Sequence, residues 1–237
     1  MRLNEHTAVL NSNQILLVPY SEHHVPAYHE WMQDEELQKA TASEPLTLHE
    51  EYAMQKSWRE DADKLTFIVC TAPATEESEA SDFQLQRGNQ DSPGNMMGDI
   101  NLFLNEDDEQ DDSSPTFQNV VGEVEIMIAR NDLQGKGLGK TILNTFMWYM
   151  LSSMDEIRQE WQARHGVSGK TSNLAYLRVK IDASNTRSIR LFESVGFSKI
   201  REEPNYFGEL ELRWPISSGS KTAVEERLET VPRVLNY

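Results

Sequence analysis

Six consecutive residues, Gln134-Gly135-Lys136-Gly137-Leu138-Gly139, carry the clearest chemical signal in this sequence. Glycines at that density let successive backbone N–H groups converge on a phosphate, and a helix starting there adds the positive end of its dipole. Two phosphate loops fit in part. A P-loop ending in Gly139-Lys140-Thr141 would need its first glycine at residue 134, which is Gln. A dinucleotide fingerprint starting at Gly135 and Gly137 would need its third glycine at residue 140, which is Lys. A glycine-rich turn without a ligand remains open at this point.

The residues before the loop, 120–129 (VVGEVEIMIA), alternate strictly. Alternation puts Val121, Glu123, Glu125 and Met127 on one face of a strand, with Gly122, Val124, Ile126 and Ile128 on the other. Two carboxylates that point the same way beside a partly buried cleft raise each other's pKa, as a general base near neutral pH requires. The plain alternative is a half-exposed strand whose acids face solvent. Further along, Asn185-x-x-Ser188-x-x-Leu191-Phe192 opens and lines a short helix that closes on Gly196-Phe197.

These groups need a scaffold, and the rest of the chain supplies one. Residues 14–20 (QILLVPY) predict a first strand, at an edge because it ends at Pro19. Ser21 caps a helix through Val25, Tyr28, Trp31 and Met32, and residues 41–45 form a turn. Thr47, with Glu50 three residues on, caps a helix over residues 48–60. Strands follow at 65–70, 98–104 and 120–129, then an apolar helix from Thr141 to Met154. Residues 155–172 extend that helix or form an insertion. A strand at 176–181, a helix at 185–195 and strands at 197–200 and 206–214 complete one mixed α/β domain, residues 1–215. Residues 216–237 read as a polar tail.

Composition narrows the function. The 237 residues carry 22 Lys and Arg against 39 Asp and Glu, a net charge of −17. That balance excludes a general nucleic-acid binder and an anionic membrane surface, since both need clustered cations. Residues 72–97 and 105–119 hold −10 of that charge and read as solvated loop insertions. A docking surface for a basic partner is the sharper alternative. One cysteine, Cys70, leaves no internal disulfide and no multi-Cys zinc site. His23, His24 and His29 share a short helix but lack a His-Glu-x-x-His pattern, so no metal is expected. No apolar run approaches the roughly 18 residues that span a bilayer. The expectation is a soluble cytoplasmic protein.

Gln134, Gly137 and Gly139 satisfy the pattern Gln/Arg-x-x-Gly-x-Gly/Ala, and the loop resembles the pyrophosphate loop of the GNAT acetyltransferases. The segment from Asn185 to Phe197 is similar to that superfamily's second motif. Residues 22–69, with their Ala-Ser-Glu-Pro-Leu turn and Ser-Trp-Arg-Glu-Asp-Ala-Asp-Lys run, resemble the opening of its N-acetyltransferase 9 branch. The match covers most of residues 2–70, 97–151 and 174–214.

The resemblance implies an α+β mixed sheet, largely antiparallel, splayed between its fourth and fifth strands and flanked by helices. It implies acetyl-CoA as donor and a primary amine as acceptor. The acceptor would be a protein or peptide N-terminus, with tubulin a candidate. A relative that holds the cofactor but acts by binding a partner such as microtubules is the alternative. Residues 134–140 would grip the pyrophosphate through their backbone, including Leu138, with Lys136 or Lys140 adding charge. Met127 and Ala129 would pair with pantetheine, and an N–H near Met127 would polarise the thioester carbonyl. Asn185, Ser188 and Phe192 would flank the cofactor. Glu123, eleven residues before Gln134, is the favoured base and Glu125 the second. Many relatives carry a Tyr where this chain has Phe192, which cannot protonate the leaving thiolate. Water, Ser188 or Tyr206 would have to serve. Lys180, on the strand flanking the acceptor, either orients a carboxylate or is simply exposed.

Overall fold

The computed structural model describes residues 1–11, 14–74, 78, 83–107, 116–166 and 168–237. Alternating apolar residues build a sheet from β1 (Thr7–Asn11), β2 (Ile15–Pro19), β3 (Lys64–Thr71), β4 (Met96–Glu106), β5 (Phe117–Ile128), β6 (Thr171–Asp182), β7 (Ser198–Lys199), β8 (Glu209–Pro215) and β9 (Arg233–Asn236). Their spatial order is β7-β8-β6-β5-β4-β3-β2-β1-β9. The pairing is antiparallel except between β5 and β6.

One face is covered by α1 (Val25–Trp31), α2 (Glu35–Ala40) and α3 (Leu48–Glu60). There Val25, Tyr28 and Met32 pack on Ile68 and Met127. The other face carries α4 (Leu138–Ser152), α5 (Met154–His165), α6 (Thr186–Ser194) and α7 (Ser220–Glu225). Phe146, Ile157, Trp161, Ile189 and Val224 pack there against Phe67, Leu102, Val124 and Leu177. Each large side chain buried this way stabilises the fold by ~1.5–3 kcal/mol.

Local signals set several boundaries. Thr47 Oγ1 accepts from the Glu50 N–H at 3.3 Å, and the Glu50 carboxylate accepts from the Thr47 N–H at 2.8 Å, closing the capping box of α3. Gly196, with φ of +98°, stands just beyond α6 where a side chain would be strained. Residues 155–172 divide between α5, which begins after a break at Ser153, and the start of β6.

Three expectations change. The strand at 15–19 is interior, because β1, unread in the sequence, pairs with it. Residues 216–237 are folded: α7 packs on α4, and β9 pairs with β1 from Leu10↔Arg233 to Thr7↔Asn236. Met96, Met97, Asn105 and Glu106 belong to β4, and Phe117–Asn119 to β5, so both acidic insertions are shorter than read. Most of the second lies outside the described residues. In the first, Asp91 is buried.

The feature that positions the site is where β5 and β6 part. Their pairing runs from Phe117↔Thr171 to Glu123↔Arg178 and stops there. Beyond that rung the two strands diverge and leave backbone unpaired along a slot. With β1 counted, the splayed strands are fifth and sixth; counted from the strand at 15–19 they are fourth and fifth, as expected. No helix among the described residues is long and apolar enough to cross a membrane.

Candidate active site

A cleft of about 480 Å³ opens at the splay, within the range of small-molecule sites. Leu37, Ala40 and Thr41 form one wall, Ile126, Met127 and Ile128 the floor, and the glycine loop with α6 the other side. The turn at residues 41–45 thus contributes Thr41, and α2, unread in the sequence, contributes the rest of that wall.

The glycine loop behaves unevenly. Gly135 and Gly137 have φ of +75° and +82°, a backbone that favours glycine, and Gly137 is the N-cap of α4. A Cβ at either would meet no atom within 4 Å, so only the backbone angle, and not a clash within the chain, requires glycine there. Gly139 differs: its Cβ would lie 2.8 Å from Leu191 Cδ2, so it serves the contact of α4 with α6. Gln134 staples the loop. Its Nε2 donates to the Ile128 carbonyl at 2.8 Å, and its Oε1 accepts from Arg187 Nη1 at 2.9 Å. Leu138 and Lys140 line the cleft; Lys136 is exposed outside it.

On α6, Asn185 caps the helix by accepting from the Ser188 N–H at 3.1 Å, and both residues line the cleft. Phe192 does not. It is 2% exposed and packs edge-on against Phe197, ring centroids 5.1 Å apart, so it is a core residue. The α6 residues that do face the cleft include Arg187 and Arg190. Their three-residue spacing on the face of Leu191 and Ser194 was the signal available in the sequence.

The backbone expected at Met127 and Ala129 is already engaged. The Ala129 N–H donates to the Met97 carbonyl at 2.9 Å, and the Met127 carbonyl abuts Gly98 of β4, 1.9 Å from where a Cβ would stand. Peptide groups alternate in direction along a strand. The groups turned toward the slot therefore belong to Ile126 and Ile128, one residue off the expected positions.

The two carboxylates separate. Glu123 accepts from Arg178 Nε at 2.8 Å, with Lys180 Nζ at 3.7 Å. Glu125, next to cleft-lining Ile126, has no hydrogen-bond or ion-pair partner among the described residues. Its side chain is exposed, as the solvent-facing alternative expected, yet the protein crowded around it, followed by the charges of Asp99 and Glu123, pushes its carboxyl up to about 7. Asp99 on β4 is buried, and that burial raises it to about 6 despite hydrogen bonds from Asn101 Nδ2 at 3.0 Å and Tyr28 Oη at 3.1 Å.

The other candidates have structural roles. Asp91 Oδ2 accepts from His23 Nε2 at 2.8 Å, His24 Nε2 at 3.0 Å and Tyr237 Oη at 2.5 Å. Burial opposes its charge, but these bonds hold Asp91 well below the usual carboxylate range. His24 Nδ1 accepts from the Ser21 N–H at 3.1 Å, so its Nε2 carries the proton and is a donor rather than a metal ligand. Burial pushes the Cys70 thiol up, the opposite of an activated nucleophile. Trp58 packs edge-on against Phe103. Tyr206 is 96% exposed on the loop between β7 and β8.

Comparison with known proteins agrees with this geometry. The chain matches the family model described as acetyltransferase (GNAT) domain over residues 14–198. It is 40% identical over 227 residues to the N-acetyltransferase 9-like protein of Schizosaccharomyces pombe, covering 90% of this chain and 97% of that one. It is 39% identical over 218 residues to the human alpha/beta-tubulin-N-acetyltransferase 9, covering 92% and 87%. Among solved structures, spermidine N-acetyltransferase from Vibrio cholerae in complex with CoA and spermine superposes with a TM-score of 0.57 at 15% identity, over 88% of this chain and 98% of that one. The ribosomal L7/L12 alpha-N-protein acetyltransferase RimL gives 0.56 at 11% identity, over 88% and 94%; both are likenesses of fold. A splayed sheet, a glycine loop at its opening and relatives of this extent lead to one conclusion: the chain belongs to the GNAT family and is an N-acetyltransferase that takes its acetyl group from acetyl-CoA.

Proposed function

We propose that this chain acetylates the α-amine of a polypeptide by direct attack on acetyl-CoA, with Glu125 as general base. The observation that carries the reading is an unpartnered carboxyl, pushed up to about 7, one residue from the floor of the cleft.

The pyrophosphate lies against the N–H groups of residues 135–140, and Arg187, Arg190 and Lys140 supply positive charge to the phosphates. Pantetheine runs along the slot beside Ile126 and Ile128, whose backbone faces it. An N–H there polarises the thioester carbonyl as the tetrahedral oxyanion forms. The acceptor arrives as an ammonium and gives one proton to Glu125. The neutral nitrogen attacks the carbonyl carbon, and as the tetrahedral adduct collapses the C–S bond breaks, coenzyme A leaves as a thiolate and the nitrogen gives up its second proton. Ser188, which lines the cleft, or water relays that proton from the nitrogen to the sulfur, so that a neutral amide and a thiol result.

The proton affinities of the amines themselves sort acceptors. An α-ammonium with a pKa of about 8 yields its proton to any base for roughly 3 kcal/mol less than a lysine ammonium at about 10.4. N-terminal amines are favoured on that ground. The relatives named for tubulin support a tubulin N-terminus as the acceptor and a cytoplasmic site of action.

The test is mass spectrometry of peptides with a free N-terminus and an internal lysine, incubated with acetyl-CoA and the protein. Acetylation at the N-terminus that disappears in Glu125→Gln supports the reading. Acetylation confined to lysine, or none at any peptide, overturns it.

A further inference from the structure

The face that carries Glu125 is crossed by a row of charges, and one cation in that row is surplus. In register, Glu123 of β5 lies beside Arg178 of β6, and Lys180 of β6 lies opposite Glu211 of β8. Glu123 is held by Arg178 at 2.8 Å, and Glu211 by Arg213 at 2.5 Å. Two acids therefore take two arginines, and Lys180 is left to share Glu123 from 3.7 Å. Asp182, at the end of the same strand, accepts from the Ser184 N–H and hydroxyl and faces Lys39 of α2. It does not compensate Lys180. In a chain at −17, a cation beside the reaction slot whose one acid is already held more closely by an arginine is out of keeping with its surroundings.

Its position gives it a use. Glu125 and Lys180 each stand two residues beyond the last β5–β6 rung, Glu123↔Arg178, on the two strands that part there. Equal offsets on two parallel strands put them level with each other on the same sheet face, one on either side of the parting. On the β5 side stands the exposed carboxyl of Glu125, and on the β6 side the ammonium of Lys180, about one-third exposed. A site with an acid pole and a basic pole fits a ligand that carries an ammonium and, a short way along, a carboxylate.

We propose that Lys180 is a specificity residue that binds a side-chain carboxylate of the acceptor polypeptide near its N-terminus. The inference rests on the N-terminal acetylation reading above and names its substrate class: chains with Asp or Glu in the first few residues. An extended peptide advances about 3.3 Å per residue, so with the amine at Glu125 the side chains of residues two to four lie within about 10 Å of it, within reach of the facing strand. Lys180 then exchanges a shared, longer contact with Glu123 for a carboxylate of its own, and Arg178 keeps Glu123 neutralised. A charge-assisted contact at a half-exposed site gives about five- to tenfold in affinity.

Binding is measured by calorimetry on the full chain with coenzyme A present. The probes are free-amine hexapeptides with Glu, Gln or Lys at position two, three or four. N-terminal acetylation of the same peptides is followed separately with acetyl-CoA. The wild type is expected to bind one Glu peptide about five- to tenfold tighter than its Gln partner. Lys180→Ala should bind the two alike, and Lys180→Glu should favour the peptide carrying Lys at that position. No Glu-over-Gln preference at any position, or one that persists in Lys180→Ala, overturns the proposal. Preferential binding without acetylation keeps Lys180 and removes the transfer reading; acetylation without preference does the reverse.

Discussion

Glu123 and Glu125 stand two residues apart on one face of one strand, and their neighbours give them different chemistry. Arg178 fixes Glu123 as a charged partner in the sheet. Glu125 has β4 and Asp99 beside it instead, so its proton is held up to about 7. Asp99→Asn removes the nearest like charge, and the acid limb of the kcat/KM profile should then move to lower pH; an unmoved limb would detach Asp99 from the base. Stability responds in the same sense. The folded state holds protons on Asp99 and Glu125 more tightly than the unfolded chain, so their contribution is present below about pH 4 and is lost as pH rises through about 6 to 7. Asp99→Asn should therefore melt higher than wild type at pH 8, with the difference shrinking toward pH 5 in thermal scans.

At the scale of elements, what the sequence made legible had a local cause. Thr47 with Glu50, Gly196 after α6, and the alternation of residues 120–128 act within a few positions, and those elements appear where the pattern puts them. What was hidden depends on how elements pack together rather than on the pattern within one of them. β1 is short and lies between β2, its neighbour in the chain, and β9, whose own place at the edge is set by a strand some 220 residues earlier. Which backbone groups face the slot is fixed by the β4 register, and whether Phe192 turns to cofactor or core is fixed by Phe197. Two glycine substitutions separate binding from packing. Gly137→Val puts a β-branched residue at φ of +82°, which strains the loop by roughly 1–2 kcal/mol. Acetyl-CoA affinity in calorimetry should fall about tenfold, or ~1.4 kcal/mol, while the far-UV spectrum stays unchanged. Gly98→Ala drives a Cβ into the Met127 carbonyl and should lower stability in urea by ~1–3 kcal/mol, taking activity with it.

Across the whole molecule, the first and last strands meet at one edge and tie the chain into a single sheet. Tyr237 donates to Asp91 and Arg233 to the Ser78 carbonyl, so the final residues hold the first acidic insertion as well as β1. Cutting the chain before Arg233 should lower stability by ~2 kcal/mol, a Tm fall of ~4–8 °C in thermal scans for a chain of this size. An unchanged Tm would show that the edge pairing contributes nothing. The central claim, that this molecule transfers acetyl groups to α-amines with Glu125 as base, is tested most directly by pH–rate profiles of peptide N-terminal acetylation for the wild type, Glu123→Gln and Glu125→Gln. The wild type should lose activity below about pH 7, and Glu125→Gln should fall about 10²–10⁴-fold and lose that limb. Glu123→Gln should keep the limb, shifted to lower pH. A Glu125→Gln profile that overlays the wild type, or a limb abolished by Glu123→Gln alone, would contradict the assignment.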